Sequence, residues 1–494
     1  MKRSIQYLTL FMCLMTSCTG IPEGTVSDTA PSIYPDFTNI TVPSNIASPN
    51  FLIEDDANKY ITLLKSGDTQ VTIRGRKVCI PLRKWRRLTS SGNISITVYE
   101  KKDNGWIKMK PFNIDVAPEI DSYVTYRLIP PSFQTFDRLS INQRNITNFK
   151  EKVIYANSMA AADAGSQCIN CHSFYNWRTD RMQFHIRQYN AGTFYYMDGR
   201  ISKLNLKTDS TISAAVYPAW HPTHDYIAYS NNMTYQNIHS NNTDRMEAFD
   251  EESDLILYDI KRNSVSIVEN AHDEYECHPY WTPDGKTLFY VSAHVDDPDW
   301  FYSIGGASRR NDLLKYNLYS KSFNPEDKTW GKSVLYYDAA AVDSSLTWPR
   351  VSPDGTKLLA CLSSHGVFPP YQSEADLVMF DLTKGTWRYL DEVNSELAES
   401  YHSWSSSGRW IVFSTRREDG TYTRLYLSYL KDDGYFTKPF PIPQKDPEFS
   451  RKFMYSFNVP EFTIEPIKIS ARVISSFVNS TDAAPVSFEQ KRGE

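Results

Sequence analysis

The chain has 494 residues, with 53 Lys and Arg against 58 Asp and Glu, for a formal charge of −5. That balance excludes the basic excess a nucleic-acid binder carries on one face, and 41% hydrophobic with 22% charged residues excludes a disordered chain. Aromatics reach 14%, with 32 Tyr and 11 Trp, types that favour strands, so composition predicts a mainly β protein of about two to four domains.

At the N-terminus Lys2 and Arg3 precede an apolar stretch from Ile5 to Met15. This is the length of a signal-peptide core and too short for a spanning helix. The string Met15-Thr16-Ser17-Cys18 resembles a bacterial lipobox. The resemblance implies a signal peptide over residues 1–17, a lipid on Cys18 and a tether over 18–35. Thr19, where inner-membrane sorting uses Asp, implies an outer-membrane anchor. No later apolar run approaches the roughly 18 residues of a membrane span, so the membrane is reached only through the lipid.

Residues 36–140 read as a β-sandwich. Ile94, Ile96 and Val98 alternate with Ser95 and Thr97, and Asp103-Asn104-Gly105 separates this run from Trp106–Phe112. Asn-Gly between two such runs predicts a hairpin. The Lys84-Trp85-Arg86-Arg87 cluster reads as a solvated strand edge. Next, Asn148 to Glu151 resembles a capping box, and Phe149, Val153, Ala156 and Ala160 recur at helical spacing. A short helix is therefore predicted to enter the following segment.

Seven cysteines occur. Cys13 leaves with the signal, and Cys79 and Cys361 sit in apolar runs that predict buried thiols. Cys168-Ile169-Asn170-Cys171-His172 has the C-x-x-C-H spacing of covalent haem c attachment. Two thiols add to the vinyl groups on one porphyrin edge, and the adjacent His reaches the iron as proximal ligand. A zinc site needs further Cys or His ligands nearby, and a thioredoxin-like pair needs a βαβ setting; neither pattern is present. Residues 141–192 are therefore read as a short helical haem c segment. For the sixth iron ligand the sequence offers His185, with Met182 as the alternative. On a strand the two point to opposite faces, so at most one of them faces the iron.

The second half repeats. Tyr217-Pro218-Ala219-Trp220, His278-Pro279-Tyr280-Trp281, Trp348-Pro349-Arg350-Val351 and Tyr401-His402-Ser403-Trp404 stand about 50–70 residues apart. Two of them continue into Pro-Asp-Gly, a tight-turn signal, and each precedes a further apolar strand. Such short-stranded repeats predict propeller blades, because each blade has two apolar faces that only its neighbours cover. The segments resemble the TolB-like, or PD40, β-propeller family over residues 193–465, leaving a C-terminal tail at 466–494. Gly192–Leu206 reads as two entry strands and Phe453–Phe462 as a blade start at the exit; pairing the two closes the ring and, with the four repeats, predicts five blades, or six. Prolyl-oligopeptidase-type enzymes carry such a propeller, but no G-x-S-x-G elbow appears here. His278 and His402 read as channel-mouth histidines, and Asp244 to Glu252 as a solvated acidic loop.

The combination resembles a group of Gram-negative lipoproteins with one C-x-x-C-H ahead of a PD40 propeller. The expectation is an exported, lipid-anchored mono-haem c protein performing one-electron transfer, whose propeller docks a redox partner. Two alternatives stand beside it: a propeller scaffold with a structural or sensory haem, and a haem enzyme with an open iron position.

Overall fold

Alternating apolar and polar residues build strands through most of the chain. In the computed structural model they assemble into an N-terminal domain and a six-bladed β-propeller. The structure describes residues 20–131, 138–160, 167–238, 246–302 and 310–489. The signal segment and Cys18 lie outside the described residues. Among the described residues no helix is long and apolar enough to cross a membrane.

The N-terminal domain combines a seven-stranded sheet, a three-stranded sheet and a helix. The Asn-Gly signal is a hairpin: Ile94–Lys102 pairs antiparallel with Gly105–Lys108, with Lys102 opposite Gly105. The Lys-Trp-Arg-Arg cluster is not a strand edge. It lies in the helix Leu82–Ser90, which turns Trp85, Leu88 and Thr89 inward. Those positions are three and four apart, the spacing of one helical face. Trp85 is fully buried and donates its indole N–H to the Ile46 carbonyl at 3.0 Å. Cys79 is exposed, contrary to expectation: its neighbours Val78 and Ile80 take the inward positions. Cys361 and Cys277 are buried.

Each propeller blade is a four-stranded antiparallel meander. The inner strands are Gln167–Tyr175, Val216–Trp220, Glu274–Trp281, Ser345–Val351, Glu399–Trp404 and Ser456–Thr463, here blades one to six. Each inner strand touches the next, and the sixth touches both the fifth and the first, so the ring closes. The sixth blade is composite. Its inner strand comes from Ser456–Thr463 and its other three are Tyr123–Ile129, Ser140–Asn145 and Glu151–Ala156. The propeller therefore begins near residue 123 and contains the C-x-x-C-H segment. The helix predicted after Asn148 is instead the strand Glu151–Ala156 and a single 3₁₀ turn. Pairing with Ser140–Asn145 overrides the local helical spacing.

The Pro-Asp-Gly turns behave as read. Gly285 has φ +70, and its carbonyl lies 2.9 Å from Nε2 of His221 in the preceding blade. A Cβ there would stand 2.3 Å from that imidazole, so only glycine fits. The supposed acidic loop is part of the long strand Met246–Asp259, with Asp250 fully buried and hydrogen-bonded to Asn232 and Thr234; Asp244 lies outside the described residues.

Beyond the closing strand, the helix Ala471–Ser480 buries Ile474 and Val478 against the first and sixth blades. The chain then adds Ala484–Pro485 to the outer edge of blade one and Ser487–Phe488 to that of blade two. Edge strands are open templates for aggregation, and the tail covers two of them. At the other side, one hydrophobic core joins the N-terminal domain to blades five and six through Trp410, Val412, Leu425 and Phe457.

Blade three carries a buried carboxyl with a pH consequence. Glu276 is 3% exposed and its Oε2 has no partner. Burial pushes its pKa up to about 9, with Asp254 adding to the effect. The folded state thus keeps a proton that the unfolded chain releases near the ordinary Glu value of about 4.3. More protons are bound in the folded state across that window, so this group lowers stability as pH rises toward 9. Glu276→Gln is expected to leave the urea midpoint unchanged near pH 5 and to raise it near pH 8. An equal shift at both pH values would contradict this.

Candidate functional site at the channel

Every inner strand breaks its ladder at the same place. The register shifts by a two-residue bulge in all six blades. The first bulge residue is left-handed each time: Cys171 (φ 52), Tyr217 (φ 49), His278 (φ 50), Trp348 (φ 57), Tyr401 (φ 45) and Val459 (φ 48). The second is His172, Pro218, Pro279, Pro349, His402 and Pro460. Proline lacks a ladder donor and is tolerated at bulges, which accounts for its recurrence. Cys171-His172 is thus the first blade's version of a repeated structural dipeptide.

The bulge side chains surround the channel. Tyr217, His278, Trp348 and Tyr401 form an edge-to-face chain with ring centroids 4.6, 4.8 and 4.8 Å apart. Val459 and Cys171 complete the circle with small side chains. On their side a cavity of about 570 Å³ opens, within the roughly 300–1,000 Å³ typical of small-molecule sites. Cys168, Cys171 and His172 all line it. On a regular strand Cys168 and Cys171 would face opposite ways; the bulge turns both toward the cavity. Ile169 points the other way, into the core shared with blade six.

His172 is 3% exposed and packed against the Thr125 and Val459 backbones. Burial, with Arg127 nearby, pushes its pKa down to about 4, against the pull of the Thr125 and Val459 backbones. His402 occupies the same place in blade five. Its Nδ1 lies 3.8 Å from the Cys361 sulfur, while Nε2 is unpartnered. Burial at this position therefore follows from the blade architecture, and the two neighbouring thiols are what set His172 apart.

The structure does not bring the proposed sixth ligands to this cavity. His185 and Met182 do lie on opposite faces of the strand Arg178–Gln188. Met182 is packed in the inter-blade core with Phe184 and Ile186. His185 is 3.1 Å from Thr193 Oγ1 and lines a separate cavity of about 300 Å³. Both side chains are consumed by blade packing. His278 and His402 are buried within the ring and line neither channel cavity.

Two residues below the first bulge position, Ser173, Ala219, Tyr280, Arg350, Ser403 and Glu461 form a second circle. They line a cavity of about 330 Å³ on the opposite side of the ring. Arg350 and Glu461 line both cavities and mark the waist between them. The Arg350 guanidinium stacks over Tyr280 and Trp348 at 4.7 and 4.4 Å. Burial pushes the Glu461 carboxyl up to about 7, against the pull of Arg350. Sequence reading missed this circle, although its positions recur in register with the visible Pro signals.

The fold and channel define a six-bladed β-propeller with a bulge-lined central cavity. No family model matches the chain, and no curated protein matches it. Among solved structures it is similar to an oligogalacturonate lyase in complex with manganese, at 14% identity and TM-score 0.30, covering 77% of this chain and 99% of that one. It is also similar to a DUF4784 family protein from Bacteroides caccae, at 8% identity and TM-score 0.29, covering 74% and 97%. A prolyl oligopeptidase B from Galerina marginata matches at 9% identity and TM-score 0.35, covering 71% and 50%. These likenesses concern the fold alone.

Proposed function

We propose that the chain is an exported mono-haem c protein of the TolB-like propeller type, anchored by a lipid on Cys18 and carrying its haem in the channel cavity. One observation carries the reading: both thiols of the C-x-x-C-H motif and His172 line the same cavity. Cys168 and Cys171 would hold the group covalently, and His172 would supply the proximal nitrogen. Among the described residues no cluster of three or more His, Cys, Asp or Glu stands ready for a bare metal ion. A porphyrin brings four nitrogens of its own, so one neutral imidazole from the chain suffices. When bound, the group supplies one-electron redox chemistry at iron. The propeller's outer surface then serves as the docking face for a redox partner.

A second reading, a ligand-binding or catalytic iron, is favoured by the cavity lining. Among the described residues it contains no Met, and His172 is its single His. The protein exported in a host with c-type maturation decides between them. Haem stain that survives denaturation, with a sharp low-spin reduced spectrum, is the electron-transfer outcome. A broad high-spin spectrum that shifts with carbon monoxide is the outcome of the second reading. Absence of covalent haem sinks both.

A further inference from the structure

The same cavity is lined by arginines from three different blades: Arg127, Arg187 and Arg416. Arg127 lies on the second strand of the composite blade and donates Nη1 to the Ile169 carbonyl at 3.2 Å, inside the C-x-x-C-H motif itself. Its Nε is buried without a partner. Arg187 sits directly opposite Cys168 in the strand register. Neither Arg127 nor Arg187 makes an ion pair among the described residues. Among the described residues the one carboxylate lining the cavity is Glu461, at the waist. Both are half-buried, and the Asp250 carboxylate acts on Arg187 from beyond the lining; guanidinium is the side chain best shaped to grip a carboxylate through two parallel hydrogen bonds.

Resting on the haem reading, we propose that Arg127 and Arg187 form a carboxylate-binding pair that holds the acidic side arms of the bound porphyrin. The arrangement gives both guanidiniums a carboxylate partner and fixes the porphyrin's rotation relative to the thioether bonds. Both roles concern orientation and charge; neither residue is placed in the attachment chemistry.

The test uses the full exported chain, matured with haem. Arg127→Gln and Arg187→Gln are compared with the parent and with Arg200→Gln, an equal charge change at an exposed site in the blade of Arg187. Haem stain is expected to persist in all four proteins. Removing a cation beside the group favours its oxidised form, so each cavity variant is expected to lower the midpoint potential. The expected shift is about tenfold in the reduction equilibrium, which is about 59 mV for one electron. Arg200→Gln is expected to leave it in place. Resonance Raman bands of the porphyrin carboxylate arms are expected to move in the cavity variants. Arg187→Lys, which keeps charge but not the fork, is expected to hold the potential and still move those bands. Retained haem with unmoved potential and bands overturns the arginine pair and leaves the haem reading standing. A parent protein with no covalent haem overturns both.

Discussion

Replacing Cys168 and Cys171 together with alanine is expected to abolish the haem band on a denaturing gel and leave the propeller's unfolding transition close to that of the parent. Both thiols are partly exposed to the cavity. The strand that carries them is held by its pairing with Arg178–Gln188 and by Ile169 in the core. Losing two such side chains falls within the roughly 1 kcal/mol typical of single substitutions. The covalent link, in contrast, has no other thiol lining this cavity: Cys277 and Cys361 are buried elsewhere. A single Cys168→Ala variant is expected to keep a weaker band through one thioether, and His172→Ala to change the spectrum while the stain remains. A double variant that still stains covalently would remove the motif from the account.

The largest stability effect is expected at Trp410. It is fully buried, packs on Tyr429 at 4.8 Å, and donates its indole N–H to the Pro118 carbonyl at 3.2 Å. It stands where the N-terminal domain meets blade five, inside the single core that joins them. Trp410→Ala removes the largest side chain of that junction and leaves a buried carbonyl without its donor. Large-to-small changes at such aromatics cost about 3–5 kcal/mol, and the orphaned carbonyl adds about 1–3 kcal/mol. Urea unfolding followed by tryptophan fluorescence and by circular dichroism should show a large loss of midpoint. The two probes should also separate, because the domain junction opens before the ring does. A variant within 1 kcal/mol of the parent would contradict this account of the junction.

The blade character of the second half was legible because it is written in short strings. Pro-Asp-Gly sets a turn within four residues. The first and sixth blades were not legible for the same reason. The strands Tyr123–Ile129, Ser140–Asn145 and Glu151–Ala156 carry no Pro-Asp-Gly turn, and their inner partner arrives at Ser456. No local window contains that pairing. The helical spacing after Asn148 was real in the sequence but lost to the ladder. The opposite facing of Met182 and His185 followed from strand period alone, whereas the lining of the cavity depends on a bulge that period does not reveal. Cys171-His172 could have been aligned with Tyr217-Pro218 and His278-Pro279 had the repeat been extended one blade upstream.

The composite sixth blade also imposes an order in time. On the proposed export reading the chain is delivered in sequence order, so the strand bearing Cys168 and Cys171 is available before Ser456–Thr463. Val459, Asn458 and Ser456 form part of the cavity wall, and they belong to that last strand. Until it docks, this part of the wall is missing, and on the haem reading the thiols are open to an attachment enzyme from that side. After it docks, they sit in a finished chamber. The closing strand is thus a latch on the site as well as on the ring, and a bulky group that enters before it shuts is enclosed by the folding of the chain itself.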